Sequence, residues 1–105
     1  MKDDIDIQIV AFNSVLQKKS VELRTKVLRE PLGLVYTAEQ LAEEKDETHI
    51  VALLENNVVG VLLLKKINGD ILKMRQVAVD NNLQRSGIGK KLVAFSEVFA
   101  KQHRF

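Results

Sequence analysis

One stretch of this chain combines residue types that can hold an anion. Gln84-Arg85-Ser86-Gly87-Ile88-Gly89-Lys90 lies between a strand-like run and a helical pattern. Gly87 and Gly89 let a ligand approach the backbone closely. The first turn of a helix leaves N–H groups without intrahelical partners, and the helix dipole favours negative charge there. Arg85, Lys90 and Lys91 add positive charge. A diphosphate suits this arrangement. The spacing is not the dinucleotide fingerprint, because the third glycine is missing, and it is not a P-loop. Two glycines at a helix start are also what a plain capping turn would contain.

The elements that must position this loop follow from periodicity. Ile5, Ile7 and Ile9 alternate with polar residues within 4–12, the signal of a half-buried strand. Residues 14–30 contain no Gly or Pro and predict a helix, with an imperfect stripe of Leu16, Val21, Arg24, Val27 and Leu28 and a break near Ser20. Pro31 and Gly33 end it. Thr37 and Gln40 have the spacing of a capping box, so a short helix to about Glu44 follows. Three strands come next, His49–Leu54, Val58–Ile67 and Ile71–Val79, turning at Asn56-Asn57 and at Asn68-Gly69. The run Val61-Leu62-Leu63-Leu64 predicts a central strand covered on both faces. A last helix spans about 87–103, with Ile88, Leu92, Phe95, Val98 and Phe99 on its packed side.

Composition bounds the rest. The chain has 105 residues, 46% hydrophobic and 29% charged, which suits one globular domain and excludes a disordered tail. Cysteine is absent, which excludes disulfides, thiolate metal sites and a cysteine nucleophile, and accords with a cytoplasmic protein. Two histidines do not meet the ligand count of a metal site. No segment approaches the roughly 20 apolar residues that span a membrane, and Met1-Lys2-Asp3-Asp4 does not read as a signal peptide. Residues 81–105 carry 5 basic residues and 1 acidic one, a local positive field. That quarter lacks interleaved aromatics, so nucleic acid is not an expected partner.

The residues around the glycine loop resemble a known family. Met74-Arg75-Gln76-Val77-Ala78-Val79-Asp80, then Leu83-Gln84-Arg85-Ser86-Gly87-Ile88-Gly89, then Leu92-Val93, are similar to the central signature of the GNAT N-acetyltransferases, whose core reads Gln/Arg-x-x-Gly-x-Gly/Ala. Leu23-Arg24, Val27-Leu28-Arg29, His49-Ile50-Val51-Ala52 and Val58-Val59-Gly60 extend the likeness over nearly the whole chain.

The resemblance implies an α+β (α/β) fold, a mostly antiparallel sheet flanked by helices, here lacking the C-terminal strands. It implies acetyl-CoA as co-substrate and transfer of its acetyl group to a primary amine of a small molecule or peptide by direct attack. The diphosphate would lie on Gln84, Arg85, Ser86, Gly87, Ile88, Gly89 and Lys90. The strand Gln76-Val77-Ala78-Val79 would offer main-chain groups to the pantetheine arm, with a backbone N–H such as that of Val77 facing the developing oxyanion. The attacking amine must lose a proton. The third meander strand offers no carboxylate, so His49 is the candidate base by its ordinary pKa, with Glu47 nearby. The alternative for His49 is a packed residue bonded to a backbone carbonyl. Arg24 is a candidate for the acceptor side, or for an ion pair across the domain.

The resemblance also marks departures. The family continues into a fifth strand and a region that often carries a tyrosine acid, and the single tyrosine, Tyr36, does not match that position. The chain therefore reads as a partial domain, residues 1–105. An unpaired fourth strand invites a partner, so a homodimer covering that edge is expected. A non-catalytic coenzyme-binding or protein-interaction module is the other functional expectation.

Overall fold

The computed structural model describes residues 4–105. The first three residues, and the signal-peptide reading that rests on them, lie outside that range. Four strands form one antiparallel sheet in chain order: β1 (Ile5–Val10), β2 (Thr48–Leu54), β3 (Asn57–Asn68) and β4 (Ile71–Val79). Helices α1 (Val15–Arg24) and α2 (Ala38–Ala42) connect β1 to β2, and α3 (Ile88–Gln102) follows β4. This is the order and class expected from the sequence.

Strand alternation divides the core in two. Ile50, Ala52, Leu62 and Leu64 pack with Ile88 and Leu92 of α3. Val61, Leu63 and Ala78 pack with Leu23 of α1. β3 is thus covered on both faces, and each of its buried leucines contributes about 1.5–3 kcal/mol. Gly60 is where α3 comes closest. A Cβ there would lie 3.0 Å from both Ile88 Cγ2 and Leu92 Cδ1, and 3.2 Å from Ala52 Cβ.

The helical region after β1 differs from its expected form. Ser20 does not break it: its buried hydroxyl donates to the Gln17 carbonyl at 2.6 Å, within the helix. The irregularity starts after Arg24. Thr25–Arg29 is a π-helical turn, Glu30–Leu32 a 3-10 turn, and Gly33 closes the segment at φ 70°. The buried side of α1 is Gln17, Ser20, Leu23 and Arg24 rather than a stripe through Leu16 and Val21. Three of those four are polar. Each finds a partner, so burial does not leave a whole side chain unsatisfied.

Two turns and one helix face also differ. Glu55 and Asn56 take φ 52° and 68°, so the β2–β3 turn sits one residue earlier than expected. The β3–β4 hairpin forms at Asn68-Gly69, but neither residue is in the left-handed region. Instead, Asn68 Oδ1 accepts from the Asp70 N–H at 2.8 Å. Val98 is exposed on α3, while Phe95 and Phe99 pack partly against the core. The capping box at Thr37 and Gln40 is present with both of its hydrogen bonds.

Candidate active site

The register between β3 and β4 breaks near the end of β4. Val61 pairs with Ala78 and Leu63 with Arg75, so Gln76 and Val77 together face Leu62. This is a β-bulge, which bends the strand and takes one residue out of the ladder. Gln76 holds φ 54°, a conformation that few non-glycine residues adopt. Its side-chain oxygen accepts a 2.6 Å hydrogen bond from the Tyr36 hydroxyl.

Tyr36 is itself held. The guanidinium groups of Arg24 and Arg29 lie over its ring, 4.6 and 4.4 Å from the centroid. Arg24 is fully buried, and its Nη2 donates to Glu44 Oε1 at 2.9 Å. The backbone carbonyl of Glu44 is 2.9 Å from His49 Nε2, which donates in the tautomer that makes this bond. A continuous set of contacts therefore runs from the start of β2, through α1 and the loop before α2, to the bulge in β4.

The loop beyond β4 is built for its backbone. Asp80 Oδ1 accepts from the Asn82 N–H at 2.9 Å, and Gln84 Nε2 donates to the Val79 carbonyl and to Asn81 Oδ1 at 3.2 and 3.1 Å. These bonds tie the loop to the strand end. Arg85 at φ 71° and Gly87 at φ 92° flank Ser86, whose hydroxyl donates to the Leu83 carbonyl. Left-handed residues in such a turn aim successive N–H groups into one concavity. No side chain caps α3, and the Lys91 N–H is the donor to Gly87. The N–H groups of Ile88, Gly89 and Lys90 precede that bond and have no intrahelical acceptor. An open N-terminus on a 15-residue helix, beside Arg85 and Lys90, offers unpaired N–H donors and positive charge to an anion.

Two cavities meet at the bulge. The larger, about 340 Å³, is an open groove lined by Val27, Leu28, Val77, Ala78, Gln84 and Arg85, with Val79 and Gly89 at its wall. It unites most of the residues expected from the sequence to hold the coenzyme. Val27 and Leu28, read as part of a helix stripe, form the facing wall. Ile88 is buried in the core and anchors the loop from beneath, while Lys90 is exposed on the first turn of α3. The smaller cavity, about 160 Å³, is lined by Tyr36, Gln76, Arg29, Glu47 and Arg75 among others.

His49 is 1% exposed and lies against the Phe12 ring at 5.9 Å. It lines neither cavity, and its position matches the packed, carbonyl-bonded alternative. Arg24 forms the cross-domain ion pair and supports Tyr36 from behind. Glu47 does reach the smaller cavity, with Oε2 accepting from Arg75 Nη1 at 2.8 Å. Tyr36 and the side chain of Gln76 are site residues that sequence reasoning missed. The only available signal was a lone tyrosine in a chain with 5% aromatic residues. No group of three or more metal-ligating side chains occurs among the described residues.

Residues 14–105 match the acetyltransferase (GNAT) family. The chain belongs to that family. Solved structures agree with this membership of the GNAT fold. A GNAT acetyltransferase from Elizabethkingia anophelis with acetyl-CoA bound is 19% identical, with a TM-score of 0.74, covering 97% of this chain and 61% of that one. An aminoglycoside acetyltransferase from an uncultured soil metagenomic sample, in complex with sisomicin, is 29% identical, with a TM-score of 0.75 and coverages of 96% and 72%. An acetyltransferase from Streptococcus agalactiae is 19% identical, with a TM-score of 0.79 and coverages of 96% and 68%. This GNAT chain thus spans about three-fifths of the length of the first of these relatives. No curated protein sequence matches it. No helix among the described residues is long and apolar enough to cross a membrane.

Proposed function

We propose that this chain binds acetyl-CoA and moves its acetyl group to a primary amine by direct attack. The observation that carries the reading is the placement of the uncapped α3 N-terminus beside the bulged end of β4, on one groove. Acetyl-CoA supplies an activated acetyl thioester. The N–H groups of Ile88, Gly89 and Lys90, with Arg85, hold its diphosphate, and Gln84 fixes the loop that presents them. Val77, Ala78 and Val79 offer main-chain groups and a partly apolar wall to the arm. The displaced ladder at Gln76 and Val77 makes the Val77 N–H the group that we assign to the oxyanion. Family membership and the acetyl-CoA-bound relative support the choice of coenzyme.

The acceptor approaches from the smaller cavity. The sisomicin complex of the 29% identical relative supports an amine in that role. Alignment of two reactants on either side of one bulge supplies part of the rate. Proton removal by His49 would need its buried ring to be reached through water, and its position gives that role no support. β4 pairs with β3 alone among the described residues, and we infer that a second copy of the chain covers its free edge. The absence of cysteine accords with the cytoplasm as its compartment.

Calorimetric titration of acetyl-CoA, paired with a thiol-release assay over an amine panel, tests the function. Micromolar binding with acceptor-dependent thiol release is expected. Binding without release would assign the chain to a non-catalytic coenzyme-binding module, and no binding by folded protein would remove the reading.

A further inference from the structure

We infer that the smaller cavity takes a small zwitterionic amine, with an ammonium on Glu47 and a carboxylate on Arg29. This rests on the acceptor role proposed above and specifies its substrate class.

Two charged groups at this cavity are left without full partners. The Glu47 side chain is 5% exposed, and its Oε2 is used by Arg75. Its Oε1 is buried and accepts no hydrogen bond. A buried carboxylate oxygen without a donor is costly, and an ammonium N–H satisfies it with a charge-assisted bond. Arg29 lies over the Tyr36 ring and has no ion pair among the described residues. Its guanidinium is therefore oriented by stacking while its N–H fork stays free for a carboxylate.

Charge and size narrow the choice. The cavity wall carries three cations, Arg29, Lys65 and Arg75, and three carboxylates, Glu43, Glu44 and Glu47. Arg24, outside the wall, neutralises Glu44, so the wall as a whole does not attract a polycation. Two of the carboxylates are already bonded to arginines, Glu44 to Arg24 and Glu47 to Arg75. A ligand with separated unlike ends matches a wall that carries Glu47 and Arg29 at separate points. The volume of about 160 Å³ suits a small molecule. Gln76, on the bulge, lines this same cavity and places the ligand beside the coenzyme groove.

The test titrates three probes into the protein saturated with acetyl-CoA, following backbone NMR shifts. The probes are a small amino acid, its methyl ester, and a polycationic aminoglycoside. The amino acid should bind at least about tenfold tighter than its ester, the loss expected for one charged contact. Arg29→Gln should abolish that preference, while Glu47→Gln should weaken both probes. Equal binding of acid and ester, preference for the aminoglycoside, or no binding of any probe would overturn the inference. Acetyl-CoA binding is measured separately by calorimetry. The same three probes are also titrated into the free chain, so that failure of acetyl-CoA binding with the amino-acid preference retained there would sink the transferase reading and leave this cavity assignment standing.

Discussion

The Tyr36 hydroxyl donates a 2.6 Å hydrogen bond to Gln76 Oε1, joining the loop before α2 to the bulge of β4, 40 residues later. The bond falls on a residue with φ 54°. An L-residue pays roughly 1–2 kcal/mol for that conformation, so an interaction selective for it helps hold the bulge. The two arginines over the Tyr36 ring fix the donor in turn.

Tyr36→Phe should therefore lower stability by about 1 kcal/mol through the lost bond. It should also reduce turnover more than acetyl-CoA affinity, because the coenzyme loop lies beyond the bulge. In a Gln76→Gly background, where the left-handed conformation costs little, the stability effect of Tyr36→Phe should largely vanish. Denaturant midpoints of the four proteins form the double-mutant cycle that checks this. Additive losses would mean that the hydroxyl does not act through Gln76.

Gly87 separates conformation from charge. A Cβ at this position meets nothing within 4 Å, so only its φ of 92° resists substitution. Gly87→Ala and Gly87→Glu should cost similar stability, about 1–2 kcal/mol. Acetyl-CoA affinity should fall further for Gly87→Glu, about tenfold below Gly87→Ala at low salt, with the gap narrowing as salt rises. Calorimetry of both variants reads the difference.

Gly60 controls how closely α3 approaches the sheet. Gly60→Ala would put a methyl 3.0 Å from Ile88 and Leu92. Overpacking of this kind costs about 1–3 kcal/mol. Ile88 begins α3 and anchors the coenzyme loop, so acetyl-CoA binding should weaken along with stability. Unchanged affinity in a destabilised variant would show that the loop is held independently of α3 packing.

The Arg24–Glu44 pair is buried on both sides, with side-chain exposures of 0% and 4%. Glu44→Ala should destabilise the chain by about 3–5 kcal/mol, because it strands a buried guanidinium. Arg24→Met with Glu44→Gln should recover much of that loss. Urea midpoints compare the single and double variants.

The periodicity of isoleucines in β1, the continuous apolar run in β3 and the glycines around the start of α3 made the order of the elements and the uncapped loop after β4 legible from local signals. Those features need only the near neighbours along the chain: a pleat that alternates faces, a strand buried on both sides, and a helix start without a side-chain cap. The capping box at Thr37 was legible for the same reason. Where the chain departs from local rules, the sequence was silent. Nothing in Met74-Arg75-Gln76-Val77 announces that Gln76 adopts a positive φ, because the compensation comes from Tyr36, 40 positions away. Nor do Gln17 and Ser20 announce their burial, since it depends on bonds within the helix itself, and the ion pair expected as one alternative for Arg24 had no partner named until the fold brought Glu44 to it. His49 illustrates the same limit: its residue type left proton transfer and a packed, carbonyl-bonded setting both open, and the tertiary structure shows it packed against Phe12 with a bond to the Glu44 carbonyl. Local propensity chose the elements, whereas the site between them was chosen by contacts that exist only once the sheet has brought distant residues together.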